Sequence, residues 1–250
     1  MKENTVVNEK KIKLTLEEVE AKIVYHTFKG FKLNTLLVSF EERRHILSTW
    51  AGYREVRFVA NVYTPIALSK ITMRNYVAFQ KDFPSALGIS PEEISFLSTG
   101  VDMDNAAVCE QSYEEFKVCC LATAGAKGNA LRTGVDVASY VERAGSFTGE
   151  VGTINLILLT NATLSDGAMA RAIITATEAK TAALQDLDVR STSTPQNQAT
   201  GTGTDNVIVV SGKGLSKPLL LTSGHTKMGE LIGFATKLAV AEALKRHDGL

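Results

Sequence analysis

The chain has 250 residues, of which 44% are hydrophobic and 22% are charged, as in an ordinary soluble globular protein. Its 27 Lys and Arg residues balance 27 Asp and Glu residues, which argues against nucleic acid or an anionic membrane as the main partner. The three cysteines lack the CxxC or His/Cys spacing of a zinc site and predict reduced thiols.

Targeting signals are absent from the sequence pattern. The N-terminus has no apolar signal-peptide core, and no apolar run reaches the roughly 18 residues of a membrane span. The sequence therefore predicts a cytoplasmic protein that binds neither membrane nor nucleic acid. It leaves open whether the chain forms a homo-oligomer. We expect one domain over residues 1–250, with residues 1–10 as a flexible tail.

The N-terminal half is rich in strand patterns. Alternating apolar and polar residues over 12–64 predict a set of hairpins. A helix is expected near residues 72–83, ended by Pro84. Apolar runs at 93–100 and 116–125 have the length of buried strands, and one or two helical turns are expected between them.

The C-terminal half alternates strands and helices. Residues 152–164 predict a strand, followed by an alanine-rich helix that begins at Ser165 or Asp166 as the N-cap. A second strand follows near 205–212, and a helix over 225–247 closes the chain. Its predicted apolar stripe comprises Leu231, Phe234, Ala235, Leu238 and Ala241. Together these patterns predict the α+β class, with mixed or antiparallel sheets layered with helices.

Two segments near predicted strands carry candidate binding groups. "TAGAKGNALRTG", residues 123–134, holds three glycines that allow close approach of a ligand to the backbone, with Asn129 and Arg132 beside them. The alternative is a turn with a surface arginine. In "GTIN", Thr153 begins a strand and is a candidate nucleophile, and Asn155 is a candidate oxyanion donor. Most threonines at such positions are structural.

Two further segments carry charged groups. In the helical stretch "TATEAK", Glu178 and Lys180 are two residues apart and face different sides. A buried Glu178 would need a partner, whereas an exposed one would be an ordinary helix residue. His225, in "SGHTKMGELIG", lies just before a helix and is the best single candidate for proton transfer near neutral pH.

The stretch "ATGTGTDN", residues 199–206, alternates hydroxyls with glycine before an apolar strand. Its glycines permit an anion-binding arrangement of amides, but it is neither a P-loop nor a dinucleotide fingerprint because it precedes a strand. Thr200, Thr202 and Thr204 are candidate binding residues, and Asp205 is a candidate for orienting a base or water.

Taken together, the segments at 123–134, 152–184, 199–209 and 223–233 resemble the adenosylcobinamide amidohydrolase family in order and spacing. The resemblance is specific over residues 95–244, with a looser likeness in "ILSTWAGYREVRFVAN" from residue 46. It implies hydrolysis of the amide that joins aminopropanol to a corrin side chain, giving adenosylcobyric acid for coenzyme B12 salvage. The corrinoid, cobalt included, is then the substrate, and no cofactor is implied for the protein itself.

A more distant likeness concerns the mechanism. A strand that opens with "GT", a helix and a "GTGTD" turn are similar to the self-processing D-aminopeptidase and ornithine acetyltransferase enzymes, which suggests an αββα arrangement. In that comparison Thr153 takes the nucleophile's place, although a base-activated water is an alternative. His225 would carry the proton, Glu178 and Asp205 would orient it or the water, and Lys180 would help to bind the substrate. A related amidase with another substrate, or a corrinoid-binding protein without activity, are the alternatives.

Overall fold

A computed structural model describes residues 6–138 and 153–250. Long strands dominate its N-terminal part because alternating β-branched, aromatic and polar residues favour a half-buried sheet. The strands in chain order are β1 (Val6–Ile12), β2 (Val19–Phe28), β3 (Phe31–Ser48), β4 (Gly52–Tyr63), β5 (Ile94–Thr99), β6 (Ala107–Tyr113), β7 (Phe116–Ala124), β8 (Ala130–Leu131), β9 (Ile154–Thr160), β10 (Gly201–Thr202) and β11 (Asn206–Val210).

The helices differ greatly in length. They are α1 (Ile66–Thr72), α2 (Tyr76–Asp82), α3 (Asp166–Asp186) and α4 (Lys227–Asp248), with short 3-10 helices at Met73–Asn75, Phe83–Leu87, Pro91–Glu93 and Met103–Asn105. The hydroxyl of Ser165 caps α3 by accepting from Ala168 N, as predicted. Among the described residues, none of the helices is long and apolar enough to cross a membrane.

The two long strands β3 and β4 shape the sheet. Nine of the described strands form one sheet in the order β1-β2-β3-β11-β9-β7-β6, while β4 pairs with both β3 and β5. β3 pairs with β2 along its first half and with β11 at its end, and its register with β4 shifts between Ser39 and Arg44. A bulge of this kind bends a strand. β3 and β4 therefore belong to both halves of a curled sheet.

Three buried clusters show that the molecule has four layers. One cluster lies between the two halves of the sheet, and its members include Val38, Leu97, Cys119 and Ile208. A second lies between α3 and α4 and one half of the sheet, and the third lies between the first helices and the other half. The order is helix, sheet, sheet, helix. The predicted α+β class with layered sheets and helices is confirmed.

The structure corrects three sequence predictions. Residues 6–10 do not belong to a flexible tail: they lie in β1, whose charged residues pair with those of β2, as in the Glu9–Lys22 ion pair of 2.7 Å. Between β5 and β7 the chain forms one short 3-10 helix, within the predicted one or two helical turns, but a strand that was not predicted, β6, follows it. The apolar face of α4 is rotated from the predicted stripe, because Phe234 and Leu238 are half exposed. Residues 1–5 lie outside the described part.

Candidate active site

Two turns that the sequence singled out meet at one end of the sheet. In the small β8–β10 sheet, Gly201 pairs with Leu131 and Thr202 pairs with Ala130. β11 runs parallel to β9, with Asn206 opposite Asn155, so the starts of both strands lie at this same end. The segments 123–134, 153–155 and 199–206 are therefore brought together at the N-terminal end of β9.

Asp205 connects three elements at this end. Its carboxylate accepts hydrogen bonds from the backbone N of Ile154 and of Thr202, each at 3.0 Å, and from the Thr202 hydroxyl. It also forms an ion pair with the Nζ of Lys180, which α3 contributes. The Lys180 side chain is only 9% exposed. Asp205 therefore connects the start of β9, the glycine-containing turn and α3. The side chain that α3 contributes to this contact is Lys180.

Thr153 is buried just before β9, with only 5% of its surface exposed. Its Oγ1 lies 2.6 Å from the Thr204 carbonyl and 3.3 Å from Asn155 Oδ1, and it has one proton to donate. Neither acceptor is a general base at neutral pH, so this arrangement holds the hydroxyl in place without activating it. Thr204 itself is exposed, which opens this side of the turn to solvent.

Asn155 belongs to a buried polar network instead of offering a donor to a ligand. Its Nδ2 donates to Asn61 Oδ1 and to the Ser98 carbonyl, both at 2.9 Å, which uses both amide protons. Asn61 in turn donates to Thr123 Oγ1 at 2.8 Å. The expectation that Asn155 donates to an oxyanion is therefore wrong for this arrangement. Asn61 and Ser98 were not predicted because a single buried polar residue in a strand carries no motif.

The other predicted binding residues stabilise the turns. The Arg132 guanidinium donates to the Gln198 carbonyl at 3.2 Å, and Thr200 Oγ1 accepts from Thr133 N at 3.0 Å. Asn129 is half-buried in the same loop, next to β8. These contacts engage the side chains of Arg132 and Thr200 within the two loops. Both residues therefore have a structural role.

His225 lies at the opposite end of β9. It precedes α4, whose first turn contacts the last residue of β9 through Thr160 Oγ1 and Met228 Sδ, 3.7 Å apart. Seven strand residues span about 23 Å, so His225 is far from Thr153. The predicted shared centre of these two residues is wrong. In a parallel β-α-β unit the strand starts share one end and the segments after the strands share the other.

Glu178 is also separate from the site. It is exposed on α3, on a different face from Lys180. Within the part of the chain that the structure describes, no hydrogen bond or ion pair joins Glu178 to Thr153, Asp205 or His225. The orienting role of Glu178 therefore stays a prediction that no contact in the described residues supports. The ordinary alternative, a solvated helix residue, is the one observed.

A different histidine reaches the N-terminal end of β9. α4 has 22 residues and spans about 33 Å, so it returns to this end, where Asp248 accepts from Ala126 N at 2.7 Å. A Cβ atom on Gly125 would lie 3.0 Å from the His247 ring, and Gly125 N donates to the Thr153 carbonyl at 3.2 Å. His247 therefore lies next to Gly125, whose backbone contacts that of Thr153. The sequence suggested only a helix end.

A partly open cavity lies away from these residues. A cavity of about 210 Å³ is located at the other end of β9 and β11, where Arg44, Lys117 and Lys213 line it. Arg44 pairs with Glu18 at 2.6 Å, and the two lysines are also ion-paired. Within residues 6–138 and 153–250, no three His, Cys, Asp or Glu side chains cluster as metal ligands would. Each of these three cations already has a carboxylate partner.

Comparisons with known proteins point to one family. The family model described as adenosylcobinamide amidohydrolase matches residues 17–250. The chain is 47% identical over 224 residues to an uncharacterized protein of Methanocaldococcus jannaschii, covering 86% of this chain and 87% of that one. It is also similar to a crystal structure of a Pyrococcus horikoshii OT3 protein, with a TM-score of 0.45 and 11% identity over 97% of this chain and 83% of that one.

Proposed function

The chain belongs to the adenosylcobinamide amidohydrolase family, and on that premise we propose that it hydrolyses the amide between aminopropanol and the corrin side chain of adenosylcobinamide. The products are adenosylcobyric acid and free aminopropanol. The observation that carries the proposal is the junction at Asp205. It holds the Thr153 end of β9, the turn with Thr202 and the Lys180 side chain in fixed positions. Fixed polar groups of this kind are what catalysis of acyl transfer requires.

We assign the attack to the Thr153 hydroxyl. Its oxygen bonds to the amide carbonyl carbon, the C–N bond breaks, and the amine of aminopropanol leaves with one proton. Water then hydrolyses the resulting ester and regenerates the hydroxyl. We propose that a bulky substrate approaches the buried Thr153 from the exposed Thr204 side of the turn. A water that attacks directly gives the same products and is the alternative route.

We assign the proton transfer to His247 because it is the histidine that α4 brings next to the Thr153 segment, through Gly125. Imidazole is well suited to accept the proton of the attacking hydroxyl and to return it to the leaving amine near neutral pH. His225, at the other end of β9, is the matched control for this role. His247→Gln should lower kcat by about 100-fold, within the usual contribution of a general acid-base group, whereas His225→Gln should leave it within about twofold.

The experiment is release of aminopropanol from adenosylcobinamide by purified protein. Thr153→Val keeps the branched shape without the hydroxyl and should lower kcat at least about 100-fold, whereas Thr153→Ser should retain much of the activity. Intact-protein mass spectrometry of a quenched reaction should detect a covalent adduct on Thr153. Full activity of Thr153→Val would indicate attack by water. No release by the wild-type protein would refute the proposed reaction.

A further inference from the structure

Trp50, the tryptophan of the β3–β4 turn, is exposed beside the proposed site. Its residue surface is 42% exposed although indole is among the largest apolar side chains. Tyr76, the first residue of α2, packs edge-on against the indole, with ring centroids 4.5 Å apart at 77°. The indole is therefore held in a fixed orientation and still presents surface to solvent.

One chain of contacts connects Trp50 with Thr153 through the buried polar network. The Tyr76 hydroxyl is 3.0 Å from Ser98 Oγ, and the Ser98 carbonyl accepts from Asn155 Nδ2 at 2.9 Å. Asn155 Oδ1 in turn lies 3.3 Å from Thr153 Oγ1. Each step is a direct contact, so three residues connect the indole to the hydroxyl.

A second chain reaches the same hydroxyl from the residue that precedes Trp50. Thr49 Oγ1 donates to Asn206 Oδ1 at 2.9 Å, and Asn206 Nδ2 donates to the Thr204 carbonyl at 2.8 Å. That carbonyl also accepts from Thr153 Oγ1 at 2.6 Å. The turn that carries Trp50 is therefore joined directly to the "GTGTD" turn.

Apolar exposure continues on the two helices that follow β4. Ile66 of α1 is 56% exposed, and Val77 of α2, next to Tyr76, is 64% exposed. These side chains add exposed apolar surface on the elements that follow the β3–β4 turn, and exposed apolar surface often marks contact with a ligand.

We propose that the face of the Trp50 indole contacts the flat corrin ring of the substrate and so directs the side-chain amide to Thr153. This inference rests on the proposed function for the identity of the substrate. A corrin is broad and largely apolar within a fringe of polar amides, which matches an exposed indole next to a polar turn. Trp50 is then a residue that determines substrate binding, and it takes no part in the bond-breaking step.

The test separates binding from turnover. We expect Trp50→Ala to raise the KM for adenosylcobinamide at least tenfold and to change kcat less than threefold, with Trp50→Phe in between. Tyr113→Ala is the matched control, because Tyr113 is 45% exposed but lies at the far end of β6, next to Lys227. It should leave both constants unchanged, and circular dichroism should show that all variants are folded.

Equilibrium dialysis with cobinamide gives a readout that does not need catalysis. Trp50→Ala should weaken its binding at least tenfold, whether or not the wild-type protein hydrolyses the amide. Unchanged binding and KM in Trp50→Ala, or a loss confined to kcat, would overturn the inference. A wild-type protein that binds no cobinamide would overturn it as well. A wild-type protein that binds cobinamide through Trp50 without hydrolysing its adenosyl form would refute only the proposed reaction.

Discussion

At the residue scale, Gly201 is placed where a side chain would displace the ion pair of Lys180 and Asp205. A Cβ atom there would lie 2.5 Å from Lys180 Nζ and closer still to the Asp205 carboxylate. These atoms form the buried ion pair that fixes the turn, and separating buried charges is costly because each loses its partner in a low-dielectric surrounding. The glycine is therefore required by packing, since its φ is not in the left-handed region.

We predict that Gly201→Ala destabilises the protein by roughly 1–3 kcal/mol, as overpacked sites do, and lowers amide hydrolysis together with stability. Gly203→Ala is the control in the same turn, since its Cβ would meet only Leu131 Cδ2 at an ordinary 3.5 Å. Its effect should stay within about 0.5 kcal/mol. Urea unfolding followed by circular dichroism measures both. Equal destabilisation by the two variants would mean that the ion pair does not fix this turn.

At the element scale, the sequence predicts well those elements whose pattern is local. The continuous apolar run of β9, the cap at Ser165 and the length of α3 all follow from neighbouring residues. β6 was missed because its polar residues, such as Glu110 and Gln111, resemble those of a loop, and its pairing with β7 decides its conformation. The stripe of α4 was misplaced because the packing of α3 and the sheet selects which apolar residues are covered.

His26, on β2, makes the stability of the layer that contains α1 and α2 depend on pH. The side chain is 2% exposed, its Nε2 lies 2.8 Å from Thr35 Oγ1, and its ring contacts Phe83. Burial lowers the pKa of His26 and outweighs a hydrogen bond with the Thr27 backbone. The folded state therefore keeps the ring neutral at a pH where the unfolded chain, with an ordinary pKa near 6.5, already binds a proton.

We predict that the contribution of His26 to the free energy of unfolding is constant above about pH 6.5. Below that pH, this contribution decreases as the pH is lowered. The loss is at most about 1.4 kcal/mol per pH unit for one proton. His26→Gln should remove this component of the slope, whereas His225→Gln, an exposed control, should keep it. Urea unfolding at about six pH values between pH 5 and 8 provides the comparison. An unchanged slope in His26→Gln would contradict the prediction.

At the scale of the whole molecule, the direction of each strand decides which motifs can act together. The sequence identifies the segments around Thr153 and Asp205, and the parallel pairing of β9 with β11 places them side by side. The same pairing places His225 at the other end of β9. The helix α4 is long enough to bring His247 back to the end where Thr153 lies. Long-range pairing of this kind is not encoded in any single motif. The locations of Asn61 and Trp50 depend on it as well.

The adjacent residues Cys119 and Cys120 test whether the four layers unfold as one unit. Both lie on β7, but Cys119 faces the cluster between the halves of the sheet, whereas Cys120 faces the one beneath α3 and α4. Burial raises the pKa of Cys120 to about 12 and also raises that of Cys119. Because the thiolate is the reactive form, neither should react with iodoacetamide in the native state, and the half-buried Cys109 should react first.

We predict that both buried thiols become reactive at the same urea concentration, and that this midpoint coincides with the loss of circular dichroism. The midpoints are expected to coincide if one cooperative transition exposes both clusters. The free energy of exposing each cysteine then equals the global free energy of unfolding. Peptide mass spectrometry assigns the label to each cysteine. Labelling of Cys120 at a lower urea concentration than Cys119 would show that α3 and α4 detach while the sheet stays closed. The reverse order would show that the sheet opens before α3 and α4 detach. Either order would contradict unfolding as a single unit.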